Sequence, residues 1–407
     1  MKVLVLAGGA DQIALIQELK DRGHEVVLVD YFDNPPAKYY ADKHIVASTL
    51  DTERVREIAE KECVSLICTA CTDQALLTVA NVSEQLNLLC YLSYEKGLNV
   101  TNKLYMKKVM VEHNIPTAQY AILDKVDPNA VSSFHFPVVV KPVDCNSSKG
   151  VKRVESYDEL CSALSDAIQY SRTKTAIVEE FKRGEEISAD FYISKGKVEF
   201  LSATKSKKIP NRKSFTILSS EYPAISKEQT ERLIGVAERI AIAFQLDNCP
   251  LLIQLIVGDD ELSVIEFSAR MGGGSKYKLI EVLSGVNIMS KYVDRVLGEY
   301  PEVVPTYCTK HCKMVYLYCN AGVFDKVEGL AELKERGEIV EYFVYKTRGA
   351  IIEHAETSSD RAAGYLVVAE SEQALRSKIA YIDSFIRVIS TEGRDIMMHN
   401  LLGYETN

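Results

Sequence analysis

Residues 251–270 restrict the fold of this chain more than any other stretch. Two apolar runs flank Gly258-Asp259-Asp260, the composition of a hairpin between two β-strands. Successive strand residues point to opposite faces, so a turn centred on Asp260 sets Gln254 opposite Glu266 and lines up Ser268 and Arg270 beside them. Four polar side chains then share one side of an apolar hairpin. Oxygen ligands from Gln254 and Glu266 suit a hard cation such as Mg²⁺, and the Arg270 fork suits a phosphate or carboxylate. The same residues can instead satisfy one another as a buried Gln–Glu–Arg network.

Two further strand ends carry charge. Phe136-Pro137-Val138-Val139-Val140-Lys141-Pro142 is suited to burial except for its lysine, which needs an anionic partner. The polar loop 144–150 follows, and its Ser147, Ser148, Lys149 and Gly150 offer hydroxyls, an ammonium and backbone N–H groups to phosphate oxygens, or make an exposed turn. Ala176-Ile177-Val178-Glu179-Glu180-Phe181 likewise ends on charge and runs through Gly184 to Glu186 and Asp190. A carboxylate there is placed either for a ribose hydroxyl or for a solvated edge.

The first hundred residues alternate apolar runs with amphipathic segments, which predicts parallel strands joined by crossover helices. Asp51-Thr52 and Thr72-Asp73 stand where helix N-caps belong, and Gly23 where the first helix stops. Gly8, Gly9 and Asp30 have the outline of a dinucleotide site, but Gly8-Gly9-Ala10-Asp11 departs from G-x-G-x-x-G and puts a carboxylate where pyrophosphate would lie. The glycines are read as the strand-to-helix turn. Pattern changes near residues 100 and 305 divide the chain into segments 1–100, 101–304 and 305–407.

With 57 acidic and 48 basic residues the net charge is -9, which disfavours nonspecific binding to nucleic acid or anionic lipid. No apolar run approaches the ~20 residues that span a bilayer, and the apolar start of the chain reads as a strand, not a secretory signal. The cytoplasm is the expected location. Ten cysteines are sparse for a disulfide scaffold. Cys68-x-x-Cys71 and the Cys308, His311, Cys312 group have metal-like spacing without a second half, and packing is their simpler reading.

In sequence order, Asn102-Lys103-x-x-x-Lys107, Pro137-Val-Val-Val-Lys141-Pro, Val178-Glu-Glu-Phe181 with Gly184-x-Glu186-x-Ser-x-Asp190, and Glu266-x-Ser268-x-Arg270-x-Gly272-Gly-Gly274 resemble the ATP-grasp superfamily, whose members include carbamoyl-phosphate synthetase large subunits and L-amino acid ligases. The resemblance implies an α/β and α+β architecture: an N-terminal open parallel α/β domain (1–100), a two-lobed ATP-grasp core (101–304, lid lobe about 115–190) and a small C-terminal α+β domain (305–407). It implies Lys103 and Lys141 on ATP phosphates, loop 144–150 as the phosphate lid, Glu179, Glu180 and Phe181 at adenine, and Glu186 at ribose. Gln254, Glu266 and Ser268 would hold one or two Mg²⁺, with Mn²⁺ as a substitute, Ser268 standing where the family usually has Asn. Arg270 would stabilise the acyl-phosphate region as a catalytic residue with Lys141. Arg270 with the backbone of Gly272, Gly273 and Gly274 is expected to hold the substrate carboxylate.

The implied reaction is ATP-dependent amide formation from a small-molecule carboxylate and amine through an acyl phosphate, releasing ADP and phosphate. Bicarbonate activation, ligation of a phosphoribosylglycinamide type and a non-catalytic ATP-binding role remain alternatives. A homodimer is the assembly considered. Lys205, Lys207, Lys208, Arg212 and Lys213 are read as a basic loop that either closes on the anionic ligand or is solvated. Lys346, Arg348 and Arg361 of the last segment either reach the site or lie on the surface.

Overall fold

The computed structural model describes residues 1–145, 149–210, 215–258 and 261–404. Ser147, Ser148, Arg212, Lys213 and the Asp259-Asp260 turn lie outside the described residues. The chain opens with β1 (Lys2–Leu6), α1 (Ala10–Asp21), β2 (Glu25–Asp30), β3 (Lys43–Val46), α2 (Thr52–Lys61), β4 (Leu66–Cys68) and α3 (Asp73–Gln85). The strands form a parallel sheet in the order β3-β2-β1-β4. They are apolar at consecutive positions because both faces are covered: Val3 and Val5 pack with Leu15 and Ile16 of α1, while Leu4 and Leu6 pack with Val55, Ile58 and Val79 of α2 and α3. Asp51 caps α2 by accepting the Arg54 N–H. Thr72 makes no cap hydrogen bond at α3.

After α4 (Tyr94–Thr101) and α5 (Lys103–Glu112) come β5 (Tyr120–Leu123), β6 (Val138–Pro142), β7 (Lys152–Val154), α6 (Tyr157–Tyr170) and β8 (Ala176–Glu180). They make an antiparallel sheet in the order β5-β8-β6-β7, backed by Leu160, Ala163, Leu164 and Ala167 of α6. The chain continues through β9 (Glu185–Ser194), β10 (Lys197–Lys208), β11 (Ile217–Tyr222), α7 (Lys227–Ala243), β12 (Cys249–Val257), β13 (Leu262–Ser268), α8 (Lys276–Ser284) and α9 (Ile288–Val296). It ends with β14 (His311–Leu317), β15 (Gly322–Glu328), α10 (Leu330–Glu335), β16 (Glu341–Val344), β17 (Ile351–Ile352), β18 (Ala363–Ala369), α11 (Glu372–Phe385) and β19 (Arg387–Ser390).

The largest sheet has eight strands in the order β13-β12-β9-β10-β11-β14-β18-β16. Its β11–β14 pairing ties the last hundred residues edge-on to the central strands, while β17, β15 and β19 form a small sheet of their own. The residue period of two decides which face does what. Ile187, Ala189, Phe191 and Ile193 of β9 point into a core with Leu233, Val236, Ala237 and Ile240 of α7. The alternate residues Ser188 and Asp190 point the other way. There the register lines up Glu266, Gln254, Ser188 and Thr204 across four strands, with Asp190 opposite Ser202 beside them. Gln254 and Glu266 of this row line the site, and Ser188, Thr204, Asp190 and Ser202 are buried beside them.

Candidate functional site

A cleft of about 820 Å³ is lined by residues of α5, the β5-β8-β6-β7 sheet and the eight-stranded sheet, among them Lys103, Lys107, Lys141, Glu179, Glu186, Gln254 and Glu266. Lys103 and Lys107 stand four residues apart on α5 and therefore share one face of the helix. Lys141 lies at the end of β6, whose partner β8 sets Val139 opposite Glu179. The Glu179 carboxylate bridges the two inner lysines: Oε1 lies 2.7 Å from Lys107 Nζ and Oε2 lies 2.5 Å from Lys141 Nζ. Burial works to raise this carboxyl, but Lys107 and Lys141 outweigh it and hold it down at about 2. Burial pushes the Lys107 ammonium below the usual lysine range despite Glu179.

Lys103 Nζ sits 2.9 Å from Glu266 Oε2 and donates to the Cys145 carbonyl at 3.1 Å, tying the start of the 144–150 loop to α5. Burial opposes its charge, yet Glu266 and Asp73 raise it overall; reciprocally, burial would raise Glu266, but Lys103 and Lys141 hold it down. The expected hairpin pairing is present, with Gln254 directly opposite Glu266. Glu266 keeps a third of its side chain exposed to the cleft. A partly exposed carboxylate beside a neutral amide oxygen fits a hard divalent cation that shares its shell with phosphate and water.

The rest of the predicted set divides. Glu186 lines the cleft and pairs with Lys208 at 2.5 Å. Phe181 lies in the apolar part of the cleft with Val139, Val151 and Ile256, and Arg153 of β7 stacks 4.3 Å from its ring centre. Glu180 accepts the His135 N–H. Gly150 turns the loop at φ +70, where an added Cβ would meet Pro142 at 2.9 Å, and Lys149 is exposed. Lys205, Lys207 and Lys208 belong to strand β10, not to a loop, and Lys205 pairs with Glu185 at 2.6 Å. Arg348 is exposed beside Asp325 at 2.7 Å, Lys346 donates to the Ser359 carbonyl, and Arg361 is buried.

Two expectations change. Ser268 is turned to Asp73, to which its hydroxyl donates, and does not line the large cleft. Arg270 is not an open fork for a substrate carboxylate, because Asp73 holds it side-on, accepting from Nε at 2.6 Å and from Nη2 at 2.5 Å. Burial would raise Asp73, but Arg270 and Ser268 hold it down. Nη1 also donates to the Met271 carbonyl. A guanidinium carries five N–H groups, so one on each terminal nitrogen stays available among the described residues. Of the three glycine amides, that of Gly274 is engaged: Asp11 accepts from Gly274 N at 3.0 Å and from the next amide, Ser275 N, at 2.6 Å.

Asp11, Asp73 and the pairing of Lys107 were missed as site residues. Asp11 and Asp73 were visible only as carboxylates in the first turns of helices that follow β1 and β4. In an open parallel sheet such carboxyl-end crevices are where ligands bind; here the segment after β13 fills the crevice. Asp30, the other half of the dinucleotide outline, accepts the Gly8 N–H at 2.6 Å.

Residues 134–278 match the ATP-grasp domain family. The central segment is thus similar to an ATP-grasp domain. The chain is also similar to the formate-dependent phosphoribosylglycinamide formyltransferase of Mannheimia succiniciproducens, 27% identical over 184 residues, 44% of this chain and 47% of that protein. The chain thus spans about half the length of that relative. The L-arginine-specific L-amino acid ligase of Bacillus subtilis is 21% identical over 75% of each chain. Among solved ATP-grasp folds, the L-amino acid ligase from Bacillus licheniformis superposes with a TM-score of 0.78 at 21% identity, covering 96% of this chain and 98% of that one. The phosphoribosylglycinamide synthetase from Anaerococcus prevotii gives 0.75 at 20% identity, covering 96% and 99%. Among the described residues no helix is long and apolar enough to cross a membrane.

Proposed function

We propose that the protein is an ATP-dependent carboxylate–amine ligase that forms an amide through an acyl phosphate. One observation carries this reading: at the inner end of the cleft three buried ammonium groups, Lys103, Lys107 and Lys141, have two carboxylates, Glu179 and Glu266, at ion-pair distance among the described residues. A net positive charge in low dielectric calls for a polyanion, and the adjoining Gln254–Glu266 pair supplies oxygen ligands for the cation that accompanies a nucleotide triphosphate.

In this reading Lys141 and Lys103 hold phosphate oxygens, Lys107 and Glu179 keep Lys141 in place, and the loop from Asp144 to Gly150 covers the phosphates. Adenine lies along the apolar wall at Glu179, Glu180 and Phe181, and Glu186 turns from Lys208 to the ribose. Gln254 and Glu266 would hold Mg²⁺ or Mn²⁺, which supplies charge neutralisation on the phosphates. Ser268 would reach a second ion only through water. The two N–H groups that Arg270 keeps available face the transferring phosphoryl and the acyl phosphate, where fixed donors act without reorganisation. The carboxylate attacks the γ-phosphorus, ADP leaves, and the amine then displaces phosphate. We place the nucleotide-binding core at 101–304, with 1–100 and 305–407 closing around the acceptor side, in a cytoplasmic enzyme.

The test is ADP release from MgATP over a crossed panel of amino acids, small carboxylates, bicarbonate and amines. A carboxylate-dependent signal that Lys141→Ala and Glu266→Ala each abolish supports the ligase. A strict bicarbonate requirement moves the reaction to carboxyphosphate chemistry, and a good substrate pair that still yields ADP with both variants sinks the mechanism.

A further inference from the structure

Two buried cations outside the nucleotide cleft have no ion pair. Lys276, at the start of α8, and Arg361, just before β18, are 6% and 8% exposed. Neither has a carboxylate oxygen within 4.0 Å among the described residues, although every other deeply buried cation near the site does. Lys276 Nζ makes a long hydrogen bond of 3.4 Å to the neutral Thr204 hydroxyl. Arg361 stacks 3.6 Å from the ring centre of Tyr316, and its Nε has no hydrogen-bond partner among the described residues. Unpaired buried charge is costly and persists where a ligand completes it.

Both cations border the same loop. An added Cβ on Gly272 would lie 3.1 Å from Lys276 Cδ and 3.3 Å from Asp190 Oδ1, and one on Gly274 would lie 2.4 Å from Arg361 Nη1. The glycines are what allow the backbone this close. Asp190, 1% exposed, has Oδ2 held by the Ser202 hydroxyl at 3.1 Å and Oδ1 turned to the loop. One register position along, the Ser188 hydroxyl is buried with no partner among the described residues. The loop follows Arg270 directly, and four extended residues span at most about 14 Å, so this cluster stands within a small molecule's length of the acyl-phosphate donors.

Resting on the ligase reading above, we propose that Lys276 and Arg361 anchor the carboxylate of an amino acid that serves as the amine substrate, with Asp190 facing its amino group. The charge count selects this class. Asp11, although it accepts from the Gly274 and Ser275 amides, is still a carboxylate, so the cluster sets two cations against two carboxylates and a net-neutral ligand keeps that balance. A zwitterion complements that set. A phosphate monoester, close to dianionic at neutral pH, would set its second charge against Asp190 and Asp11.

The full chain is assayed for ADP release with MgATP, and the donor carboxylate is first fixed with hydroxylamine as a small uncharged nucleophile. Acceptors are then compared: the twenty L-amino acids, their carboxamides and O-phosphoethanolamine. The expected result is at least one free amino acid exceeding its carboxamide by about 100-fold in kcat/KM, the loss of a buried charge-assisted contact. Arg361→Gln and Lys276→Met each shrink that ratio by about tenfold or more, and Arg361→Lys, which keeps the charge, shrinks it less. A purely structural brace would lower all acceptors together and leave the ratio alone, which overturns the proposal. Carboxamides as good as amino acids, or O-phosphoethanolamine as the preferred acceptor, also overturn it while leaving the ligase intact. No hydroxylamine-dependent ADP release with any carboxylate removes the ligase reading itself.

Discussion

Replacing Glu179 by Gln keeps the size of the side chain and removes the one negative charge between Lys107 and Lys141, which are 0% and 4% exposed. The carboxyl lies at about 2 instead of an ordinary 4.5, and at ~1.36 kcal/mol per pH unit that difference is worth about 3 kcal/mol of folding stability. Leaving two buried ammonium groups side by side puts the expected loss in the same range as breaking a buried pair, about 3–5 kcal/mol. The sign follows from the depressed value: the contribution is fully present above about pH 4.5 and is lost as pH falls towards 2. Urea unfolding of both proteins, followed by circular dichroism across that range, should show a wide gap at neutral pH that closes on acidification. Saturating MgATP should narrow it at neutral pH, because phosphate oxygens replace the missing carboxylate. Equal stability at pH 7, or a gap as wide at about pH 2.5 as at pH 7, would refute the bridging role.

Asp73→Asn should leave the Arg270 side chain in the fold but loosen its aim, since the amide keeps one acceptor oxygen where the carboxylate offers two: one of the two hydrogen bonds is lost and the other loses its anionic acceptor. Turnover is expected to fall about 10- to 100-fold with the KM for MgATP little changed, read from steady-state ADP release; a change in KM alone would contradict this. Lys103→Met removes the ammonium that stands 2.9 Å from Glu266. Mn²⁺ added without nucleotide should then bind about tenfold more tightly than in the unaltered protein, measured by electron paramagnetic resonance of free Mn²⁺, because the metal no longer competes with a lysine. Identical Mn²⁺ affinities would mean that Lys103 does not guard the carboxylate.

What could be read along the chain was whatever a strand or helix period delivers locally. The Gln254–Glu266 pairing expected from the period of two is present, but it rests on a register shift between Gln254 and Leu255 that the period does not foretell: nearer the turn Leu255 faces Val264 and Val257 faces Leu262. Lys103 and Lys107 follow from helical spacing. Contacts between segments far apart in sequence were not legible. Asp73 and Arg270 are separated by 197 positions and Asp11 and Ser275 by 264, and no periodicity links them. Asp73 has the outward sign of a helix start, which is how it was read, and only tertiary packing turns it from a cap into a clamp. The basic run near residue 205 failed for the opposite reason: lysines suit a solvated loop, but Glu185 and Glu186 on the neighbouring strand let Lys205 and Lys208 sit in β10 as cross-strand pairs.

The ion pairs of the cleft also explain how a chain of net charge -9 can hold a polyanion. Lys103, Lys208 and Arg270 are each matched by a carboxylate of their own, Glu266, Glu186 and Asp73, while Lys107 and Lys141 share Glu179. Matching keeps buried cations from collapsing the fold before a ligand arrives. In the proposed reading, ligand entry would then be an exchange of partners: phosphate would take Lys103 and Lys141, ribose would take Glu186, and the released Glu266 would become available to a cation. Each exchange trades one charge-assisted contact for another, so selectivity rests on the ligand satisfying all of them at once. A lone anion or a lone cation completes only half of the exchange and should bind weakly. Metal and nucleotide are therefore expected to bind together, a coupling set by the Lys103–Glu266 pair and by no residue that touches both.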